Sequence, residues 1–221
     1  MHIQWFGQTC FKIQTKINGE DVVVISDPIA KESGLKLSKM KGDIVTLSDY
    51  THKNLNGSSV SGATDADPFM IIGAGEYETK RLFITGVDTS IVKEETREHF
   101  NVTYRYDLEG MRIVHLGMNV SKKLTEDQIE ALGLIDVLLL PVGGGKHSYN
   151  YEQAAKMVNI LEPRIVIPMY YHVDGSKEKL DDVVKFAKEL GVNDITPEKK
   201  AIIKKSDLPQ DDMQVIILEN A

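Results

Sequence analysis

Four short apolar runs in this chain each stop at a loop of polar or glycine residues. They are Ile44–Ser48 into Asp49–Asn54, Ile113–Leu116 into Gly117-Met118-Asn119, Val137–Leu140 into Gly143-Gly144-Gly145, and Ile165–Ile167 into Pro168–His172. Runs of this length, rich in branched side chains and bounded by turn residues, read as buried strands. In layered α/β folds the carboxyl ends of such strands are where functional groups gather. The pattern therefore restricts both the fold and the place where chemistry can sit.

The order of elements narrows it further. Ile3–Phe6, Cys10–Ile17 and Asp21–Ser26 read as successive strands, with Asn18-Gly19 as a hairpin turn. A polar connection, Glu32–Lys41, leads to the strand Ile44–Leu47. Further strands are predicted at Phe69–Ile72, Tyr77–Thr79, Leu82–Thr85, Val102–Tyr106 and Arg112–Leu116. The period then changes. Helices are predicted at Thr125–Leu132, Tyr151–Leu161 and Lys177–Leu190, separated by strands at Asp136–Leu140 and Arg164–Ile167. Short strands at Ala201–Lys204 and Met213–Leu218 close the chain. No linker or low-complexity tract divides it, so residues 1–221 are expected to form one α/β domain of two face-to-face sheets under outer helices.

With 221 residues, 42% hydrophobic and 27% charged, the chain has the composition of a globular protein. The formal net charge of −7 opposes approach to a phosphate backbone or an anionic membrane. Lys199-Lys200 and Lys204-Lys205 read as a solvated face, so nucleic acid is disfavoured as a partner. No run approaches the ~18 apolar residues of a membrane span. The single cysteine, Cys10, cannot form an internal disulfide and reads as a buried, inert thiol, which suits a cytoplasmic setting. Gly143-Gly-Gly-Lys-His-Ser148 fails the phosphate-loop pattern and reads as a turn.

Several segments carry a resemblance. Asp49-Tyr-Thr51-His-Lys53-Asn54 resembles the metal-binding loop of the metallo-β-lactamase superfamily, which has His-x-His-x-Asp-His. Trp5-Phe-Gly-Gln8-Thr-Cys-Phe11 is similar to Trp-x-Gly-His-Ser-Cys-Phe in the branch that includes ascorbate-6-phosphate lactonase. Asp27-Pro28, Gly75-Glu-Tyr-Glu78, His115-Leu-Gly-Met118, Pro141-Val-Gly-Gly144 and Ile167-Pro-Met-Tyr170-Tyr171 continue the likeness over nearly the whole chain. The resemblance implies a four-layer αββα sandwich with two mixed sheets. It also implies a metal-dependent hydrolase, and here the residues depart from it.

The seven ligand positions implied by the resemblance read Asp49, Thr51, Lys53, Asn54, Ile91, Met118 and Tyr170. Zinc is held by thiolate, imidazole or carboxylate, and of these only Asp49 qualifies. Lys53 would repel a dication and could pair with Asp49 or Asp27, while Met118 and Ile91 could fill the vacated volume. The leading expectation is therefore a pseudoenzyme with no metal, which binds a small polar ligand or a protein partner. Asp27, Asp49, His52, Lys53, His115, His147, Tyr170 and His172 would line its cleft. The alternative is a lactonase, phosphodiesterase or nuclease that holds zinc or manganese at a shifted site of His52, His147, His172 and Asp49. A third reading is metal-free acid–base chemistry by Asp49, His52 and His172. The sequence names no interface, and assembly into a homo-oligomer is left open.

Overall fold

The computed structural model describes every residue except Leu37, Glu94, Glu95 and Asp194, and the backbone alone of Lys93, Thr96 and Arg97. Leu37, within the predicted polar connection, thus lies outside the described residues. A six-stranded sheet runs in the order Ala201–Ile202, His2–Trp5, Phe11–Ile17, Glu20–Ser26, Ile44–Thr46, Phe69–Ile71. A seven-stranded sheet runs Gln214–Val215, Ile165–Met169, Val137–Pro141, Met111–His115, Val102–Leu108, Leu82–Asp88, Gly75–Thr79. Both sheets are mixed. Phe11–Ile17 pairs antiparallel with Glu20–Ser26, which pairs parallel with Ile44–Thr46. Met111–His115 likewise joins an antiparallel neighbour to a parallel one.

Period-two alternation explains how the first sheet is buried on both faces. Val22 and Val24 face the main core between the sheets. Val23 and Ile25 face a second cluster with Cys10, Leu35, Met40, Val45 and Leu47. That outer face is covered by the segment through Ile29 and Leu35 and by a parallel ribbon, Met40–Gly42 with Val60–Gly62. The helix Tyr151–Leu161 packs against Val183–Glu189. Their buried residues, among them Met157, Val158 and Phe186, join the main core. Reciprocal capping boxes start two helices, Thr125 with Gln128 and Asn150 with Gln153. The expected sandwich of two mixed sheets is the observed one, with the buried faces of the helices joined to the main core and the ribbon covering the first sheet's outer face.

Two phenols tie the sheets together at the ends of the first sheet's parallel strands. Tyr104 Oη donates to the carbonyls of Leu47 (3.0 Å) and Ile71 (3.2 Å), and Tyr106 Oη shares a 2.6 Å hydrogen bond with Thr46 Oγ1. The strand ends that carry the loops are thereby held in fixed relation.

Several elements differ from expectation, among them the ribbon Met40–Gly42 with Val60–Gly62, for which no strand is predicted. The helix read from Lys177 begins only at Val183, capped by Asp182 Oδ1 on the Val184 amide (2.8 Å). The preceding residues spend their backbone groups on tertiary bonds: Lys177 N to Ser33 O, Asp181 N to Gly143 O, and His172 N to Asp181 O. Those bonds outcompete a helix that periodicity alone supports. A hairpin of Ile91–Lys93 and Thr96–His99, for which no strand is predicted, lies outside both sheets. Among the described residues no helix is long and apolar enough to cross a membrane.

Candidate functional site

The loop after Ile44–Thr46, the loop after Val137–Pro141 and the protruding hairpin meet in one cleft of about 600 Å³. Asp49, Tyr50, Thr51, His52 and Lys53 line it from the first loop, His147 from the second, and Glu98, His99 and Phe100 from the hairpin. His52 and His147 stand edge to face with ring centroids 4.5 Å apart, and His99 lies 5.7 Å from His147. Three half-buried imidazoles thus form one cluster.

Local bonds orient each donor. Asp49 closes an Asx turn, with one carboxylate oxygen accepting from Thr51 N (2.9 Å) and Thr51 Oγ1 (2.6 Å). His99 Nε2 makes a 2.6 Å bond to Met118 O, so it donates there and its Nδ1 carries the lone pair. Met118 is itself positioned by Asn101, whose Oδ1 accepts from Met118 N at 2.8 Å. His52 Nδ1 accepts from Asn54 N at 3.3 Å, which places the proton of the neutral ring on Nε2. Asn54 Nδ2 in turn donates to Glu178 Oε1 (3.1 Å). Glu178 sits on the segment that was expected to be helical.

Electrostatics favour the neutral forms of His52 and His147. Burial pushes His52 below the ordinary histidine value; Asp49, Glu178 and Asp27 oppose this, and Lys53 adds to it. His147 is lowered first by burial and then by His52 and His99, against Glu178 and Asp49. A neutral imidazole keeps a lone pair for ligation or proton transfer.

The structure sorts the residues singled out from the sequence. Asp49, His52, Lys53 and His147 come together, with Thr51 beside them. His172 is not among the residues lining the cleft: it is exposed, 3.8 Å from Asp174. Lys53 is also exposed, and no ion pair within 4 Å joins it to Asp49 or Asp27. Asp27 instead accepts from Ser48 N and Ser48 Oγ, each at 2.6 Å, with His115 Nε2 4.0 Å away. The expected ammonium counter-ion is thus replaced by a backbone amide and a hydroxyl. His115 Nε2 bonds the Thr9 carbonyl at 2.8 Å, deep in the core. Met118 is fully buried among apolar side chains, and Tyr170 is 1% exposed with its phenol lacking a protein partner. Gln8, in the turn between the first two strands, and Asp27 and Tyr170, just past strand ends, hold left-handed backbones with φ of 46°, 48° and 53°.

Ile91 is the instructive position. It pairs directly across the hairpin from His99. Cross-strand partners carry their Cβ atoms about 5 Å apart, so a histidine stands one strand away from the position where the resemblance implies a ligand. His99 and Glu178 were not read as site residues. The one available signal for His99 was its place in an alternating segment after a turn.

A tight approach fixes the floor. Gly117 has φ +66°, and a Cβ there would fall 2.4 Å from Ser48 Cβ and 2.6 Å from Asn101 Oδ1. Only glycine permits this crossing of the two sheets' loops.

As a donor set, three imidazoles with Asp49 and nearby Glu178 have the chemistry of a zinc-type site. Among the described residues the buried His147 Nδ1 has no hydrogen-bond partner, and His99 is held by a backbone carbonyl as metal-ligating histidines commonly are. Among the described residues no three such side chains yet converge on one point, so binding would require ring rotations in these half-buried side chains. At the positions implied by the resemblance, Thr51, Lys53, Met118 and Tyr170 do not fit a metal.

Two mixed sheets stacked face to face, with a loop cleft at their strand ends, are the architecture of the metallo-β-lactamase fold. Residues 2–170 match the beta-lactamase superfamily domain, and the chain belongs to that family. A UPF0173 protein of Pyrococcus abyssi is 28% identical over 192 residues, covering 79% of this chain and 85% of that one. A UPF0173 metal-dependent hydrolase of Methanosphaera stadtmanae is 28% identical, covering 86% and 91%. Among solved structures, a candidate Zn-dependent hydrolase of the metallo-beta-lactamase superfamily from Thermotoga maritima superposes with TM-score 0.73 at 25% identity, covering 99% and 100%. These relatives overturn the expectation of a non-catalytic pseudoenzyme, because homologues of nearly full length are named metal-dependent hydrolases.

Proposed function

We propose that this chain is a metal-dependent hydrolase whose reaction takes place in the His52–His99–His147 cleft. The observation that carries the reading is that three imidazoles and Asp49, from three separate segments, line one cleft at the strand ends of this fold. His99, His147 and Asp49 would hold the ion; their mixture of imidazole and carboxylate suits zinc or manganese. When bound, such an ion makes water a nucleophile near neutral pH and polarises the bond to be cleaved.

The remaining steps belong to this chain's own side chains. Met118 O fixes the His99 ring and leaves Nδ1 facing away from that bond. Thr51 caps one oxygen of Asp49 and leaves the other open. His52, with its proton on Nε2, donates to the leaving oxygen, and the Asn54–Glu178 bond steadies the loop that carries it. Lys53 offers its ammonium to an anionic portion of the substrate. An ester, lactone or phosphoester fits these roles, since each needs water delivered on one side and a proton on the other.

The test combines metal analysis with turnover. Protein purified without chelator should carry zinc or manganese, and should hydrolyse activated esters or phosphodiesters in a chelator-sensitive way. His99→Ala and His147→Ala should lose both metal and activity, and His52→Gln should keep the metal and lose activity. Wild-type protein that binds no metal and turns over no such substrate refutes the reading.

A further inference from the structure

The cleft has one wall that the hydrolytic reading leaves unused. Tyr50 and Phe100 meet edge to face, with ring centroids 5.0 Å apart and planes at 79°. Both line the cleft, and Tyr50 is 54% exposed although it stands in a cavity wall. A large aromatic left in water at a concave site costs stability and gains it back when something flat covers it. Lys53 lines the same cleft three residues along the loop, and no described carboxylate lies within ion-pair distance of its ammonium. The cleft, at about 600 Å³, is in the range of small-molecule sites.

We propose that the substrate is a small anionic ester with a planar ring beside the scissile bond, its ring on Tyr50 and Phe100 and its negative group near Lys53. This rests on the hydrolase reading above for the reacting bond and adds the chemistry that selects the substrate. Tyr50 supplies the flat face, because its edge-to-face packing against Phe100 holds the ring while leaving it half in solvent. Saturated groups gain area there, and planar rings gain area and quadrupole complementarity, which separates them by about two- to tenfold in affinity. The charge balance points the same way. A strongly basic patch would accept any polyanion. One ammonium beside two rings selects a small molecule instead.

The test is equilibrium binding, which needs no turnover. Phenylphosphonate, methylphosphonate and benzyl alcohol are titrated into the protein by calorimetry, as purified and after zinc loading. The proposal expects phenylphosphonate to bind several-fold tighter than either of the others. Tyr50→Ala should close the gap between phenylphosphonate and methylphosphonate, and Lys53→Met should weaken both phosphonates alike while leaving the alcohol unchanged. Equal affinity for the two phosphonates in the wild type overturns it, as does a gap that survives Tyr50→Ala. Preferential binding without metal-dependent turnover would sustain this inference and sink the hydrolase reading; turnover without ring preference would do the reverse.

Discussion

Asn101→Ala is the substitution that most directly links the core to the site. Asn101 is fully buried between the hairpin and the strand Val102–Leu108. Its Oδ1 accepts from Met118 N at 2.8 Å; its Nδ2 donates to Thr89 Oγ1 at 2.7 Å and Leu116 O at 3.0 Å. Alanine orphans the Met118 amide outright. The Leu116 carbonyl retains only a 3.5 Å contact with Thr103 Oγ1, whereas the Thr89 hydroxyl keeps Thr103 Oγ1 at 3.0 Å and the backbone carbonyl of residue 101 at 3.4 Å. One buried group left unpaired costs about 1–3 kcal/mol, so one full and one partial loss sum to ~2–4 kcal/mol. Against a typical total of ~5–15 kcal/mol this is a large fraction. In a chain of this length it lowers Tm by about 5–15 °C. The effect reaches the site because Met118 O fixes His99. If His99 holds the ion as proposed, disturbing the group that orients it weakens metal binding by about 10–100-fold. Urea unfolding should show a lower midpoint at unchanged slope, and a zinc competition assay should show the weakened affinity. A stability loss below about 1 kcal/mol would mean that the Asn101 network is not what holds the Met118 loop, and the argument fails.

Three further outcomes are expected. Chelator-treated protein should become more stable as pH rises through the region below about 6.5, since His52 and His147 are depressed in the fold and the unfolded chain then binds more protons. Above that region the two residues contribute no slope, and His147→Ala should flatten the acid limb of a denaturation series; an unchanged limb contradicts the assignment. Cys10, fully buried and pushed well above the ordinary thiol value by burial and by Asp27, should resist alkylation until global unfolding; rapid labelling of native protein would show that the outer cluster opens locally. Gly117→Ala should destabilise by at least ~1 kcal/mol, through the left-handed backbone and the clash with Ser48. A neutral result by thermal melting would show that the loops can part.

The sandwich was legible because alternation marks its strands twice, once for each face. Val22 to Ile25 are apolar throughout and face two separate cores, as a sheet covered on both sides requires. The site was legible only where a strand led into it, so Asp49, His52 and His147 were found from the loops that follow apolar runs. His99 was missed because it reaches the cleft from across a hairpin, and pairing partners cannot be read from spacing. Glu178 was missed because periodicity extended a helix through it, and tertiary bonds to Ser33 and Gly143 broke that helix. Lys53 was assigned a buried partner because register gives position and says nothing of exposure. His172 was included for its place after a strand, yet its chain turns outward to Asp174.

The hairpin that bears His99 has a consequence for how this lineage can change. It belongs to neither large sheet, so residues can be inserted, deleted or exchanged along it while both apolar interiors remain packed. Donor groups delivered on such an appendage can migrate between strands over evolutionary time while the scaffold stays constant. Relatives with one architecture could thus differ in the address of a single imidazole and, through it, in the reactions they run.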